Sequence, residues 1–383
     1  MVTVTHICFT GGGTGGHLYP ALHVAEVLKT RHPEWPLWYI GGEKGIERSV
    51  MASKEGFTTL YLPVEGMPRS KKFSELYPWL KLLLGATWQA GKFLWHHKIQ
   101  VVFATGGYVT APVLLAAMLL GIPYVLLEPD AQIGLVNKLM APFAHTVCVA
   151  FERTRDVLAQ KTKAMVQLTG NPLRMQTGAI KREEALVWAG QFPGRAAWQD
   201  TPDKPTLLVM GGSQGARAIN NVLVLTLEKL LQAGVRVIHV TGQKLYQETV
   251  SRYPDALRYH ESYWVMPYSQ DLPYLMAMAD VAVSRAGSMS LSELAMAGLP
   301  AILIPFPQSA GQHQQHNAES LAKVGAALCV LEETLSPERF YEVVSEVVLD
   351  EDKQDSMKRC MYAQAKPDAT SRILHILETV ASV

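Results

Sequence analysis

The chain alternates apolar, β-branched runs with stretches of helical length, and it does so twice. "THICF" precedes a helical stretch around Pro20 to Arg31, "LWYIGG" follows, and "VVFATGG" leads through "YVTAPVLLAAMLLGI" to "PYVLLEP". Strands that recur with helices between them build a parallel sheet with crossover helices. The rhythm restarts with "TLLVMGGSQGARAINNVLVLTLEKLL", "VRVIHVTG", "ADVAVSRAGSMSLSELAMAG" and "PAILIPFP". The expected class is α/β, with two Rossmann-like domains. A chain of 383 residues is too long for one ordinary core, which agrees with that division.

Between the two sets lies "LTGNPLRMQTGAIKREEALVWAGQFPGRAAWQDTPDKP", which loses the strand pattern and gathers Pro, Gly and charge. The boundary is placed near Gly170 to Pro172, giving a first domain at 1–170 and a second at 171–365, with 189–204 read as a surface loop. The carboxyl-terminal "TSRILHILETVAS" reads as a further helix, within about 366–383, folding back on the first domain.

Composition narrows the function classes. With 48% hydrophobic and 18% charged residues the chain is globular. Lys+Arg 35 against Asp+Glu 34 gives no general pull toward nucleic acid, so any anion site must be local. Cys8, Cys148, Cys329 and Cys360 lie far apart without a CxxC pair, so neither a disulfide framework nor a zinc site is expected, and a reducing compartment is. Glycines and His17 interrupt the first apolar run, so no signal peptide is read there, and no apolar stretch is long enough for a membrane span.

Each half carries two glycine elbows between a strand and a helix, a place where backbone N–H groups and the helix dipole favour an anion. The first, Gly11 to Gly16, fits GxGxxG and the first half of a P-loop. A P-loop needs Lys and then Ser or Thr next, but His17 and Leu18 follow, so ATP or GTP hydrolysis is not expected. A dinucleotide site needs an acidic residue at the end of the second strand, and Glu43 comes late for that role. The other elbows are "ATGGYVTAP", "MGGSQGARAIN" and "SRAGSMSLSE". Each alone is equally a structural turn. Together they place two anion loops at the carboxyl edge of each sheet, so that two domains facing a cleft would suit a donor and an acceptor that both carry a diphosphate.

The motifs "GGTGGHLYPA", "TGGYVTAP", "GLVNK", "TGNPLR", "GGSQGA", "SRAGSMSLSELAMAGLPAILIPFP" and "HQQHNA" run in order over almost the whole chain. In this they resemble the MurG family of glycosyltransferase family 28. The resemblance implies a GT-B fold and transfer of N-acetylglucosamine from its UDP carrier to lipid I, the undecaprenyl-diphosphate-linked muramoyl peptide, giving lipid II. It implies a peripheral enzyme on the cytoplasmic face of the bacterial inner membrane, with no cofactor and no metal. The donor would lie on the second domain, contacted by Arg174, Ser213 and Gln214. The Gly287–Ser288 elbow would hold the diphosphate, Glu293 the ribose, and His313 with Gln314 the sugar hydroxyls. The stretch at Tyr268 and Ser269 would cover the uracil. The acceptor diphosphate would rest on Thr14, Gly15, Gly16, His17, Gly106, Gly107 and Tyr108. Where the family has His-Glu-Gln-Asn, this chain has Leu127, Glu128, Pro129 and Asp130, and Gly311 and Gln312 replace an acidic pair before His313.

Inverting transfer needs a base for the acceptor hydroxyl and positive potential at the departing diphosphate. His17 is the candidate base, because a helix start disfavours the imidazolium and leaves the ring neutral. Otherwise it is a structural or phosphate-binding histidine. Asp130 is the rival base, and Glu128 is equally a loop acid. From Trp79 to His96, Lys81, Gly85, Gln89, Lys92 and His96 form a narrow polar sector, leaving an apolar arc of roughly 240°. Trp79, Leu82, Trp88 and Trp95, with Lys71 and Lys72 before them, suit the surface of an anionic bilayer. The plain alternative is a helix buried between neighbours. Other readings are a GT-B enzyme with a different lipid acceptor, an epimerase acting on UDP-N-acetylglucosamine, and a sensor that binds the nucleotide sugar without turnover.

Overall fold

The computed structural model describes residues 5–68, 72–173, 178–212 and 215–382. The chain divides into two compact units, 1–173 with 366–383, and 174–365. Lys71, Arg174, Ser213 and Gln214 lie outside the described residues.

The first unit runs β1 (Ile7–Thr10), α1 (Gly15–Arg31), β2 (Leu37–Gly42), α2 (Glu47–Met51), β3 (Phe57–Leu62), α3 (Phe73–His96), β4 (Val101–Ala104), α4 (Thr110–Leu119), β5 (Tyr124–Glu128), α5 (Leu135–Met140), β6 (Thr146–Val149), α6 (Glu152–Ala159) and β7 (Met165–Leu168). Among the described residues its sheet has seven parallel strands in the order β3-β2-β1-β4-β5-β6-β7. The inner strands β1, β2, β4, β5 and β6 are buried along their whole length. Covered on both faces, they read as continuous apolar runs without alternation.

The second unit runs α7 (Arg182–Ala189), β8 (Thr206–Met210), α8 (Arg217–Gln232), β9 (Arg236–Val240), α9 (Tyr246–Val250), α10 (Asp255–Arg258), β10 (Tyr263–Met266), α11 (Leu272–Met278), β11 (Val281–Ser284), α12 (Ser288–Ala297), β12 (Ala301–Leu303), α13 (His313–Lys323), β13 (Ala327–Cys329), α14 (Pro337–Val348) and α15 (Glu351–Tyr362). Its described strands form a parallel sheet in the order β10-β9-β8-β11-β12-β13. The last helix, α16 (Ala369–Ala381), belongs to the first unit and shares a core with α1 through Ile373, Leu374 and Leu377. Glu378 ties it down by accepting from Arg31 and His32, both at 3.1 Å.

Both sheets reverse their winding once, between β1 and β4 in the first and between β8 and β11 in the second. Such a switch point opens a crevice beyond the carboxyl ends of the two strands. All four glycine elbows follow these strands.

The segment 189–204 is largely exposed, as expected of a surface loop, but it is pinned at one point. A 3-10 turn at Ala196–Trp198 buries Trp198 to 3% exposure. The Trp198 indole donates to the Glu261 carbonyl at 2.9 Å, and Arg195 donates to the carbonyls of Glu261 and Tyr263. The Arg236 guanidinium lies 4.4 Å over the Trp198 ring. The reason is topological, since β10 is an edge strand whose outward carbonyls need donors.

Candidate functional site

The first half-site is built on β1 and β4. Gly107 has φ +86, and a Cβ there would stand 2.2 Å from the Gly12 carbonyl oxygen, so both conformation and space demand glycine. His17 is the third residue of α1. Its Nδ1 lies 2.9 Å from the Thr105 carbonyl, and the Thr105 hydroxyl donates back to the His17 carbonyl. A carbonyl only accepts, so Nδ1 carries a proton, and whenever the ring is neutral the lone pair is on Nε2. The expected base is therefore presented in one tautomer.

The first elbow differs in one respect from the expected row of amides. Gly12 N–H donates to the Gly106 carbonyl at 3.4 Å and Gly13 N–H to the buried Glu47 carboxylate, while the Tyr39 hydroxyl donates to the Gly11 carbonyl. These groups are turned into the protein, and the first turn of α1 follows at Gly15 and Gly16 behind the N-cap Thr14. Tyr108 packs over Gly13, where a Cβ would lie 3.0 Å from its ring. Burial first, then the Glu47 and Glu65 carboxylates, raises the Tyr108 phenol above its ordinary value, so it remains a neutral donor.

Glu128 ends β5 and is 1% exposed. It accepts from Gly134 N–H at 2.9 Å, from the Asn137 side chain at 3.0 Å and from Asp130 N–H at 3.2 Å. It is thus the anchor of the loop that carries Asp130, not a free loop acid. Burial first and Asp130 second push its carboxyl up to about 8 against those three bonds. Asp130 itself is half-buried, and its carbonyl accepts from the Thr154 hydroxyl at 2.9 Å. Asn137 also approaches His17, because a Cβ on Gly106 would lie 3.3 Å from Asn137 Nδ2 and 3.2 Å from His17 Nδ1.

The second half-site follows β8 and β11. Gly287 is the N-cap of α12, Ser288 is buried at its first position, and half-buried Glu293 lies on the same helix. A Cβ on Gly287 would meet nothing within 4 Å. Loops around this elbow are laced to it. Asn317 donates to the Ala286 carbonyl at 3.1 Å, and Arg285 donates to the carbonyls of Ile304 and Pro305 while pairing with Glu332. Gln314 accepts from Phe306 N–H at 3.0 Å, and His313 Nδ1 donates to the Ala310 carbonyl at 2.6 Å. Gly311 and Gln312 precede them with φ +59 and +56, a left-handed turn into α13. The Ser269 hydroxyl accepts from Asp271 N–H at 3.0 Å, and the residue is half-buried.

Both units match known proteins. Residues 7–149 match the glycosyltransferase family 28 N-terminal domain and residues 206–373 its C-terminal domain. A Halothermothrix orenii protein named UDP-N-acetylglucosamine--N-acetylmuramyl-(pentapeptide) pyrophosphoryl-undecaprenol N-acetylglucosamine transferase is 35% identical over 380 residues, covering 98% of this chain and 99% of its own. The chain belongs to the MurG family of glycosyltransferase family 28. A Listeria monocytogenes relative of the same name is 34% identical over 378 residues, covering 98% of this chain and 99% of its own. The crystal structure of Acinetobacter baumannii MurG has a TM-score of 0.78 at 27% identity, over 98% of this chain and 99% of that one. With it, the two Rossmann-like units are those of the GT-B fold.

Sequence reasoning did not single out Glu47, Asn137, Arg285 or Asn317. Asn137 and Asn317 stand inside the motifs "GLVNK" and "HQQHNA", which was the available signal. The buried glutamate at 47 had only its neighbouring glycines to announce it.

The helix α3 also departs from expectation. Trp88 and Trp95 are exposed at 65% and 75%, and Lys72 is exposed, but Trp79 and Leu82 are half-buried. The Trp79 indole donates to the Glu65 carbonyl at 3.1 Å, which draws it in. Phe73, Tyr77, Leu80 and Leu84 are exposed in their place. The inner face is made of small residues, Ala86 and Ala90 among them, that let α3 lie close on α4. Among the described residues, no helix is long and apolar enough to cross a membrane.

Proposed function

We propose that this chain transfers N-acetylglucosamine from UDP-N-acetylglucosamine to the undecaprenyl-diphosphate-linked muramoyl peptide, lipid I, giving lipid II for peptidoglycan. The transfer inverts the anomeric centre and needs no metal ion. Full-length likeness to relatives whose names state this transfer supports the substrate pair. The observation that carries the mechanism is the His17 imidazole, held by Nδ1 on the Thr105 carbonyl at the start of α1.

The acceptor belongs to the first unit and the donor to the second. The lipid diphosphate rests on Thr14, Gly15 and Gly16 with Gly106, Gly107 and Tyr108. The acceptor hydroxyl gives its proton to His17 Nε2 as its oxygen bonds to the anomeric carbon. The bond from that carbon to the UDP diphosphate breaks, and its electron pair leaves with the phosphate. The amino end of α12 at Gly287–Ser288, with Arg174, meets the charge that develops there. Glu293 holds the ribose, His313 and Gln314 the sugar, Ser213 and Gln214 the donor phosphates, and the Tyr268–Ser269 backbone the uracil.

The protein acts as a peripheral protein on an anionic membrane surface, the cytoplasmic face of the inner membrane, and the exposed face of α3 supports the membrane contact. Phe73, Leu84, Trp88 and Trp95 expose apolar area on one helix, and Leu119, at the end of the neighbouring α4, is 76% exposed. An apolar surface of that extent rimmed by Lys72, Lys81 and Lys92 fits a lipid interface.

Incubation with UDP-N-acetylglucosamine and a short-chain lipid I analogue tests the reaction. UDP release that requires the acceptor, survives EDTA and falls by a factor of about 10² or more in His17→Ala is the expected result. Epimerised sugar formed without acceptor, or tight donor binding with no turnover on any lipid, would sink it. An Asp130→Asn protein that keeps its rate assigns the base to His17 rather than to Asp130.

A further inference from the structure

Glu47 is the first residue of the short helix α2, and its side chain is fully buried. Its Oε1 accepts Gly13 N–H at 2.5 Å. Three glycines, two in loops and one near the end of β2, make room for it. A Cβ on Gly12 would stand 1.7 Å from Oε1, a Cβ on Gly45 1.6 Å from Oε2, and a Cβ on Gly41 3.1 Å from the Glu47 Cβ. The pattern of glycines in "TGGGTGG" and "IGGEKG" is thus in part the imprint of one carboxylate.

That carboxylate is poorly satisfied, because Oε2 is buried with no hydrogen-bond partner among the described residues. A buried polar atom left without a partner destabilises the fold. A chain that wanted only stability would be served by an apolar side chain here.

What the contact does achieve is positional. Gly11 is held through its carbonyl by Tyr39, Gly12 through its amide by the Gly106 carbonyl, and Gly13 through its amide by Glu47. Helix α1 begins two residues later and His17 two residues beyond that. Glu47 is therefore the last side-chain tether before the first-turn amides along the chain, and Thr105 holds His17 just after them. Removing it frees Gly13, a left-handed glycine at φ +82 next to the helix start.

We propose that Glu47 is a positioning residue for the acceptor half of the reaction, acting by reach to the Gly13 amide and not by its charge. It sets where the first turn of α1 and His17 stand relative to the acceptor diphosphate. This rests on the reading of the first unit as the acceptor side.

The test compares Glu47→Gln, Glu47→Asp and Glu47→Ala in the full chain, with UDP-N-acetylglucosamine and a short-chain lipid I analogue. Glutamine keeps the length and an oxygen that accepts Gly13 N–H, so its acceptor KM should stay within about threefold of the parent. Aspartate keeps the charge but falls one methylene short, so its acceptor KM should rise about tenfold or more with donor KM within about twofold. Alanine should behave like aspartate; if it fails to fold, the other two decide. Three outcomes would overturn the proposal: Asp matching the parent while Gln fails, donor and acceptor KM rising together, or a lowered melting temperature with acceptor KM unchanged. Parent protein that transfers nothing would instead remove the functional reading on which this one depends.

Discussion

Asn137 donates from one side-chain nitrogen to two acceptors, the Glu128 carboxylate at 3.0 Å and the Leu127 carbonyl at 3.1 Å. It thereby fastens α5 to the end of β5, and with Gly134 it gives Glu128 a well-defined seat. The seat is dry, which makes Glu128 sensitive to pH.

The Glu128 carboxyl is raised from 4.5 to about 8, by burial first and Asp130 second. Between those two values the folded protein keeps a proton that the unfolded chain has released. Its contribution to stability is thus full at low pH and lost as pH rises through about 8. Glu128→Gln should remove this slope, gaining on the parent by more than ~1 kcal/mol between mildly acidic and mildly alkaline pH. Denaturant midpoints across pH measure it. Parallel curves for the two proteins would show that Glu128 does not titrate in that window.

Two glycines should respond to the same substitution differently. Gly107→Ala places a Cβ 2.2 Å from the Gly12 carbonyl oxygen at φ +86, and should lower stability by roughly 1–3 kcal/mol and disturb acceptor turnover. Gly287→Ala meets no protein atom within 4 Å at φ −69, so stability should change by less than about 0.5 kcal/mol. If the donor diphosphate lies against that backbone, the added methyl should still raise the KM for UDP-N-acetylglucosamine. Unfolding midpoints with donor kinetics separate the two effects.

Trp198→Ala should destabilise the second unit by about 3–5 kcal/mol. The change removes a buried ring, the bond to the Glu261 carbonyl and the surface on which Arg195 and Arg236 lie. The Arg236 guanidinium, whose pKa burial already lowers to about 10, would lose the ring that covers it. Urea unfolding gives the loss, and increased aggregation would report the uncovered β10 edge.

Trp88→Ser with Trp95→Ser should abolish most co-sedimentation with vesicles containing anionic lipid while leaving the melting temperature close to that of the parent. Both rings are largely exposed, so little core packing is removed. Turnover of a soluble acceptor analogue should persist. Unchanged vesicle binding would place the membrane contact elsewhere.

The alternation of apolar runs with helical stretches, the two sheets and the site of each elbow were legible in the sequence because they are local properties. A strand buried on both faces has to be apolar throughout, and a turn such as that at Gly106 and Gly107 has to be glycine, whatever the rest of the chain does. His17 and the loops of the second unit could be named because they stand beside such turns. What closes around those turns was decided by the tertiary structure. Glu47 meets Gly13 from 34 residues away, and Trp198 meets Glu261 from 63. Those meetings depend on strand order, which puts β2 beside β1 and leaves β10 at an edge. The sequence determined which backbone could turn. Only the packed sheet decided which side chains would hold that backbone in place, because a buried polar group finds its partner through space and not along the chain.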